Sequence, residues 1–179
     1  MSGKPSVTAT EDVSPVMEGY AFDLQSLETY MRANVEGFKP PLSVGQIVGG
    51  MSNPTFMLED AAGRRYVLRK KPPGELLPSA HAVDREFRVI RALADTGVPV
   101  AKAYALCEDE SVIDQMFYIM EFVQGRVVRD MALPDSDPVE RAAIYDSMND
   151  VLARLHGVDF RAVGLEKFGR VGGYMTRQV

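Results

Sequence analysis

A turn of small residues, Gly49-Gly50-Met51-Ser52-Asn53, stands between two apolar runs of this 179-residue chain. Backbone N–H groups in such a turn can approach phosphate oxygens with no Cβ in the way. Taken singly the turn also fits an ordinary hairpin, and it lacks the spacing of a Walker A loop. The strand Tyr66-Val67-Leu68-Arg69-Lys70 follows. Side chains alternate along a strand, so Val67 and Arg69 share one face and Lys70 takes the other. Either cation could meet the α- and β-phosphates of a nucleotide, and either alone reads as an exposed strand charge. Glu86 comes next, on a predicted helix, sharing a side with Ile90 and Leu93 at the border of an apolar stripe. A carboxylate in that position commonly has a cationic partner. Arg85 and Arg88 compete for that role, although immediate neighbours on a helix do not face each other. Finally Met120-Glu121-Phe122-Val123-Gln124-Gly125 ends a strand, where free backbone groups can imitate a base-pairing edge for adenine. Turn, basic strand, acidic helix and strand end, in that order, suggest ATP binding.

The elements that must position these groups can be traced along the chain. Residues 1–21, rich in Ser, Thr, Pro, Glu and Gly, read as a mobile tail. Asp23 can cap a short helix carrying Leu24, Leu27 and Tyr30 or Met31 on one stripe. Strand texture runs from Ser43 to Lys70, with Asp60-Ala61-Ala62-Gly63 as a hairpin connection. A helix is predicted over 79–96, with Val83, Phe87, Ile90 and Ala94 on one face and Gly97 as its stop. Tyr104 to Cys107 and Met116 to Val123 are further strands. The last helix has the clearest signals. Asp137 fits the N-cap, Pro138 the first helical position and Glu140 a capping-box partner, and Gly157 ends it. Ile144, Met148, Val151, Leu152 and Leu155 form its apolar stripe. The expected class is α+β: a five-stranded antiparallel sheet packed on one helix, then a helical segment.

Composition narrows the alternatives. Hydrophobic residues are 46% and charged residues 25%, as in ordinary globular domains. The net charge of −5 argues against a nucleic-acid binder, which needs a basic surface. The cluster Arg64, Arg65, Arg69, Lys70 and Lys71 reads as a solvated hairpin edge. Cys107 is alone, which excludes an intrachain disulfide, and the distant His81 and His156 make no multi-histidine metal site. No apolar run reaches the roughly 20 residues needed to span a bilayer, and no secretory signal is visible. A soluble, cytoplasmic setting follows as the expectation.

With those residues in place, the chain resembles the N-terminal half of the aminoglycoside phosphotransferase family, a branch of the protein-kinase-like fold. Gly49-Gly50-Met51-Ser52-Asn53-Pro54-Thr55-Phe56 is similar to that family's Gly-Gly-x-Ser-Asn-x-Thr-aromatic loop. Val67-Leu68-Arg69 resembles its cation-bearing strand, and Arg85-Glu86-Phe87-Arg88-Val89-Ile90 its helix with the partner glutamate. Leu152-Ala153-Arg154-Leu155-His156 resembles the end of the first large-lobe helix. The run from Arg69 through Pro72-Pro73-Gly74 to His81 is similar to the branch found fused to acyl-CoA dehydrogenases. The resemblance covers Phe22 to Val179 and implies a kinase-like N-lobe over 22–123, then a hinge and the start of a helical lobe over 124–179. It implies that Gly49, Gly50, Ser52 and Asn53 cover the phosphates of ATP and that Arg69 pairs with Glu86 and the phosphates. Met120 would border the adenine, with the Glu121 carbonyl and the Val123 amide as hinge hydrogen-bonding groups. Arg69 stands where kinases more widely have Lys. Arginine keeps its charge and forks well to phosphate, but it is longer and planar.

The resemblance also implies what is not in these residues. Phosphoryl transfer needs a group that orients the hydroxyl and groups that hold Mg²⁺. The family supplies them from a His-Gly-Asp-x-x-x-x-Asn loop and a later Asp. His156-Gly157-Val158-Asp159 has one residue too many, so His156 reads as a helix end with a local hydrogen bond. No catalytic or metal residue is therefore assigned, and the 179 residues alone are expected to be inactive. The expected function is the ATP-binding half of a small-molecule kinase, with ATP, Mg²⁺ and a hydroxyl-bearing substrate as ligands. A non-catalytic nucleotide-binding or regulatory module is the alternative, in which a partner such as a second copy covers the last apolar stripe. Aminoglycoside, hydroxyacyl thioester and other metabolite alcohols all remain open as acceptors.

Overall fold

A computed structural model of the chain describes residues 13–47, 53–74, 81–128, 130–169, 172–173 and 175–178. At its centre, β3 (Thr55–Glu59) and β4 (Arg65–Lys70) pair antiparallel, Phe56 opposite Leu68 and Thr55 opposite Arg69. Asp60 builds the turn between them. Its Oδ1 accepts from the amides of Ala62 and Arg64, both at 2.9 Å, and Gly63 takes the left-handed φ of 75° that the turn requires. The Asp60 carboxylate also accepts from the buried Tyr66 hydroxyl at 3.1 Å, which ties the turn to the first half of β4.

Among the described residues, six strands form one antiparallel sheet in the order β1-β2-β3-β4-β6-β5. Here β1 is Val13–Ser14, β2 Ser43–Ile47, β5 Ala103–Cys107 and β6 Phe117–Glu121. The expectation of five strands and of a mobile segment over 1–21 is corrected from Val13 onward. Val13 pairs with Ile47, the Met17 amide donates to Gln46 Oε1 at 2.9 Å, and Val16 and Tyr20 pack on the core. Gly45 makes room for this edge, since a Cβ there would collide with the Val13 side chain. A composition poor in apolar periodicity hid a segment held by a few anchors.

Helices cover both faces of the sheet, where one was expected. On one face α1 (Leu24–Asn34), capped by Asp23, sets Leu27 and Met31 against Phe56, Leu58, Tyr66, Leu68, Phe117 and Ile119. On the other face α2 (Val83–Leu93) sets Val83 and Phe87 against Tyr118, with Ile90 and Met120 alongside. The strand alternation therefore decides what each residue of β4 meets. Tyr66, Leu68 and Lys70 face α1, whereas Val67 and Arg69 face α2.

Beyond β6, α3 (Pro138–His156) begins where the sequence signals place it. Asp137 Oδ1 accepts from the amides of Val139 and Glu140 at 2.9 and 2.8 Å. Glu140 does not close a capping box. Its carboxylate instead meets Arg126 Nη2 at 2.8 Å, and that bond chiefly holds it below the usual carboxylate range. His156 ends the helix, exposed and with no side-chain hydrogen bond among the described residues, so the expected local bond is not found. A 3-10 turn, Met175–Arg177, follows.

Candidate functional site

The antiparallel register places Arg69 of β4 directly opposite Tyr118 of β6. Both project toward α2, whose first turn carries Glu86. Phe87 fixes the height of that turn by packing on the Tyr118 ring, centroids 6.0 Å apart. Glu86 is thereby delivered between a cation and a phenol.

The Glu86 carboxylate is the hub of the resulting network. Oε1 accepts from Asn53 Nδ2 at 2.9 Å, and Oε2 accepts from the Tyr118 hydroxyl at 3.0 Å. Arg69 approaches both oxygens from further away, Nε to Oε2 at 3.3 Å and Nη2 to Oε1 at 3.5 Å. Charge-assisted N–H···O bonds are typically about 2.7–2.9 Å long. Among the described residues Arg69 Nε is buried without a well-directed hydrogen-bond acceptor, while Nη2 makes the long bond to Oε1. Two neutral donors hold the carboxylate at short range, and the guanidinium lies beside it at longer range. The side chains of Arg69 and Glu86 are 31% and 33% exposed, so the pair lies at an accessible rim.

Burial is the main cause that pushes the Tyr118 phenol above its ordinary value. The Arg69 charge opposes it, and the Glu86 charge and hydrogen bond add to it. Tyr118 therefore remains a neutral donor to Glu86 at physiological pH. Asn53 is itself 4% exposed, with its carboxamide committed to Glu86 and, at 2.9 Å, to His81 Nδ1. The Asn53 side chain is thus engaged with Glu86 and His81.

The competing cation has a different environment. Lys70 is 3% exposed on the α1 face, its Nζ 5.2 Å from the Phe22 ring centroid. Burial lowers its pKa, with partial relief from the Asp114 charge. Arg69, not Lys70, is the partner of Glu86. The basic cluster read as a solvated edge is accordingly divided. Arg64 donates to the Glu36 carbonyl at 3.2 Å, and Arg65 lies 4.3 Å from the Phe122 ring centroid.

At the strand end, Met120 packs beside Val83, Phe87 and Tyr118. The Glu121 amide donates to the Lys102 carbonyl at 2.8 Å, and Glu121 Oε2 accepts from the Lys102 amide at 3.2 Å. Arg65 restrains the next residues through Phe122 and through Gln124 Oε1 at 3.0 Å. Val123 is 63% exposed, and among the described residues nothing accepts from its amide.

Of the residues singled out from sequence, Asn53, Arg69 and Glu86 come together. Met120 borders the same face, whereas Glu121 and Val123 lie apart at the strand end. Gly49, Gly50 and Ser52 lie outside the described residues. Sequence reading missed Tyr118 and His81. Tyr118 had a usable signal, since it lies two residues before Met120 and so shares its face. His81 had none beyond the absence of a metal cluster. Among the described residues no group of His, Cys, Asp and Glu could hold a metal ion, and no helix is long and apolar enough to cross a membrane.

Residues 43–179 match the Phosphotransferase enzyme family. The chain is 48% identical over 174 residues to acyl-CoA dehydrogenase family member 11 of Mus musculus, covering 95% of this chain and 22% of that protein. It is 45% identical over 180 residues to the Homo sapiens protein of the same name, covering 98% of this chain and 23% of that one. The chain thus spans under a quarter of the length of these curated relatives. A crystal structure from Ralstonia eutropha, assigned as an aminoglycoside phosphotransferase, superposes with a TM-score of 0.78 at 55% identity, covering 88% of this chain and 45% of that one.

Proposed function

Since the chain belongs to the Phosphotransferase enzyme family, we propose that it supplies the ATP-binding half of a small-molecule kinase that transfers the γ-phosphate to a substrate hydroxyl. The partly exposed guanidinium of Arg69, set beside a carboxylate already held by Asn53 and Tyr118, carries this reading. A fixed cation there suits the α- and β-phosphates, and Arg forks to phosphate oxygens in a plane. Gly49, Gly50 and Ser52 would close over the phosphates. Met120 would flank the adenine, with the Glu121 carbonyl and the Val123 amide as its hydrogen-bonding edge. Mg²⁺ would accompany the nucleotide, held from residues outside those assigned here.

The 179 residues contain no His-Gly-Asp-x-x-x-x-Asn motif, so the chain alone binds nucleotide without transferring phosphate. The same behaviour would serve a nucleotide-binding regulatory module. The names of the curated relatives support an acceptor of hydroxyacyl thioester type, whereas that of the solved neighbour points to an aminoglycoside.

Calorimetric titration with Mg·ATP tests the reading. Wild-type protein should bind. Arg69→Ala and Glu86→Gln should each weaken binding about tenfold, or ~1.4 kcal/mol, with Lys70→Met close to wild type. Folded wild-type protein with no affinity for ATP would overturn the proposal. Phosphorylation of any small alcohol by the pure chain would overturn the expected inactivity.

A further inference from the structure

Helix α2 has no side-chain cap at Ala82. A helix start leaves its first amides without intrahelical partners, and α1 and α3 meet that need with Asp23 and Asp137. The start of α2 matters more, because Glu86 lies in its first turn. The residue before Ala82 is His81, with φ 55° in the left-handed region. A non-glycine residue there is strained, so the surrounding structure must hold it.

The hold is visible. His81 Nδ1 lies 2.9 Å from Asn53 Oδ1, while Asn53 Nδ2 donates to Glu86 Oε1 at 2.9 Å. An ionised carboxylate only accepts, so the Glu86 bond decides which way round the Asn53 carboxamide lies. Its oxygen then faces His81 and can only accept. His81 Nδ1 must therefore carry a proton. Donor follows donor in one direction, from imidazole to carboxamide to carboxylate.

We propose that His81 is a positioning residue for the Arg69–Glu86 pair. Through Asn53 it sets the rotation of the Glu86 carboxylate, so that Oε2 is presented to Tyr118 and Arg69. It also ties the start of α2 to the residue that follows Gly49–Ser52 in sequence. The consequence for nucleotide affinity rests on the ATP-binding reading; the orientation of the pair does not.

The test uses two variants of the whole chain. In His81→Asn, the carboxamide nitrogen takes the place of Nδ1, and Asn tolerates the left-handed region. His81→Leu keeps bulk but offers no donor. Long-range ¹H–¹⁵N spectra of nucleotide-free wild type near pH 8, where an ordinary imidazole is neutral, should show His81 protonated at Nδ1. The Arg69 Nε–H signal should stay in place in His81→Asn and move in His81→Leu. With both variants folded by circular dichroism, His81→Asn should bind ATP within about threefold of wild type and His81→Leu about tenfold more weakly, ~1.4 kcal/mol. An Nε2–H tautomer in wild type, or an Arg69 signal unchanged in His81→Leu, would overturn the assignment. If wild type binds no ATP, the kinase reading falls, and the tautomer and the Arg69 signal still decide the role of His81.

Discussion

Helices α2 and α3 solve opposite problems. α3 is 19 residues long, starts on Asp137 and Pro138, stops at Gly157, and buries none of its side chains among the described residues. α2 has 11 residues and no side-chain cap, yet it buries Val83, Phe87 and Leu93. The first has its ends marked by local signals and makes polar contacts outside itself, such as Arg154 to the Gly97 carbonyl at 3.2 Å. The second is specified by the sheet it lies on and by the His81–Asn53–Glu86 chain at its start. A charge aimed by tertiary contacts has a direction relative to β4, which local capping could not supply. The helix with weaker local signals is therefore the one that can place a functional carboxylate.

The largest effect should come from removing the packing that holds α2. Phe87→Ala deletes a nearly buried ring against Tyr118 and should destabilise the fold by about 3 kcal/mol in urea denaturation. The Arg69–Glu86 geometry should be lost with it. A cost under ~1 kcal/mol would mean the site collapses easily around the cavity, and the contrast between the helices would lose its basis.

A pH experiment sharpens the same contrast. Burial, ahead of the opposing Arg69 charge and the reinforcing Glu86, raises the Tyr118 pKa, and burial likewise raises Tyr30 to about 12. A phenol whose folded pKa lies above the unfolded value of about 10 contributes stability fully present below that pH. The contribution is lost as pH rises through the folded value. Wild-type stability should therefore decline above about pH 10. Tyr118→Phe should lower stability by about 1 kcal/mol at neutral pH and flatten the alkaline decline. Urea midpoints from neutral to alkaline pH decide it: an unchanged alkaline slope would show that Tyr118 is not the buried donor to Glu86.

Much of this architecture is legible in the chain, and the gaps have physical causes. Asp137, Pro138 and Gly157 mark α3 because caps and stops act over one turn. Asp60 and Gly63 mark the hairpin for the same reason. Alternation along β4 puts Arg69 and Lys70 on opposite faces, but which face meets α2 depends on strand order. On the side away from β3, β4 pairs with β6, which comes after β5 in sequence, so the pairing of Arg69 with Tyr118 is non-local. His81 is harder still, since its role exists only once Glu86 has oriented the Asn53 carboxamide. β1 escapes notice because two paired residues beside Gly45 carry no periodicity.

Local capping can be tested separately from positioning. Asp137→Ala removes the acceptor for the Val139 and Glu140 amides and should cost about 1 kcal/mol. Hydrogen exchange should speed up in the first turns of α3, with ATP affinity unchanged. A loss of affinity would mean that α3 and the site are coupled.

The smallest effect is expected on the exposed side of α3, and it bears directly on the comparison. Leu152 is 49% exposed, with Met148 and Leu155 at 46% and 42%. Surface substitutions away from packed features usually fall within about 0.5 kcal/mol. Leu152→Gln should do the same, and its urea midpoint should not depend on protein concentration. That outcome would leave α3 held by its ends and by polar contacts such as that of the Tyr145 hydroxyl with the Met131 carbonyl at 2.6 Å. A cost above ~1 kcal/mol that grows with protein concentration would instead mean that a second copy covers this stripe, because mass action then links folding to association. Tertiary burial would in that case specify both helices, and what separates them would be only which surface supplies it.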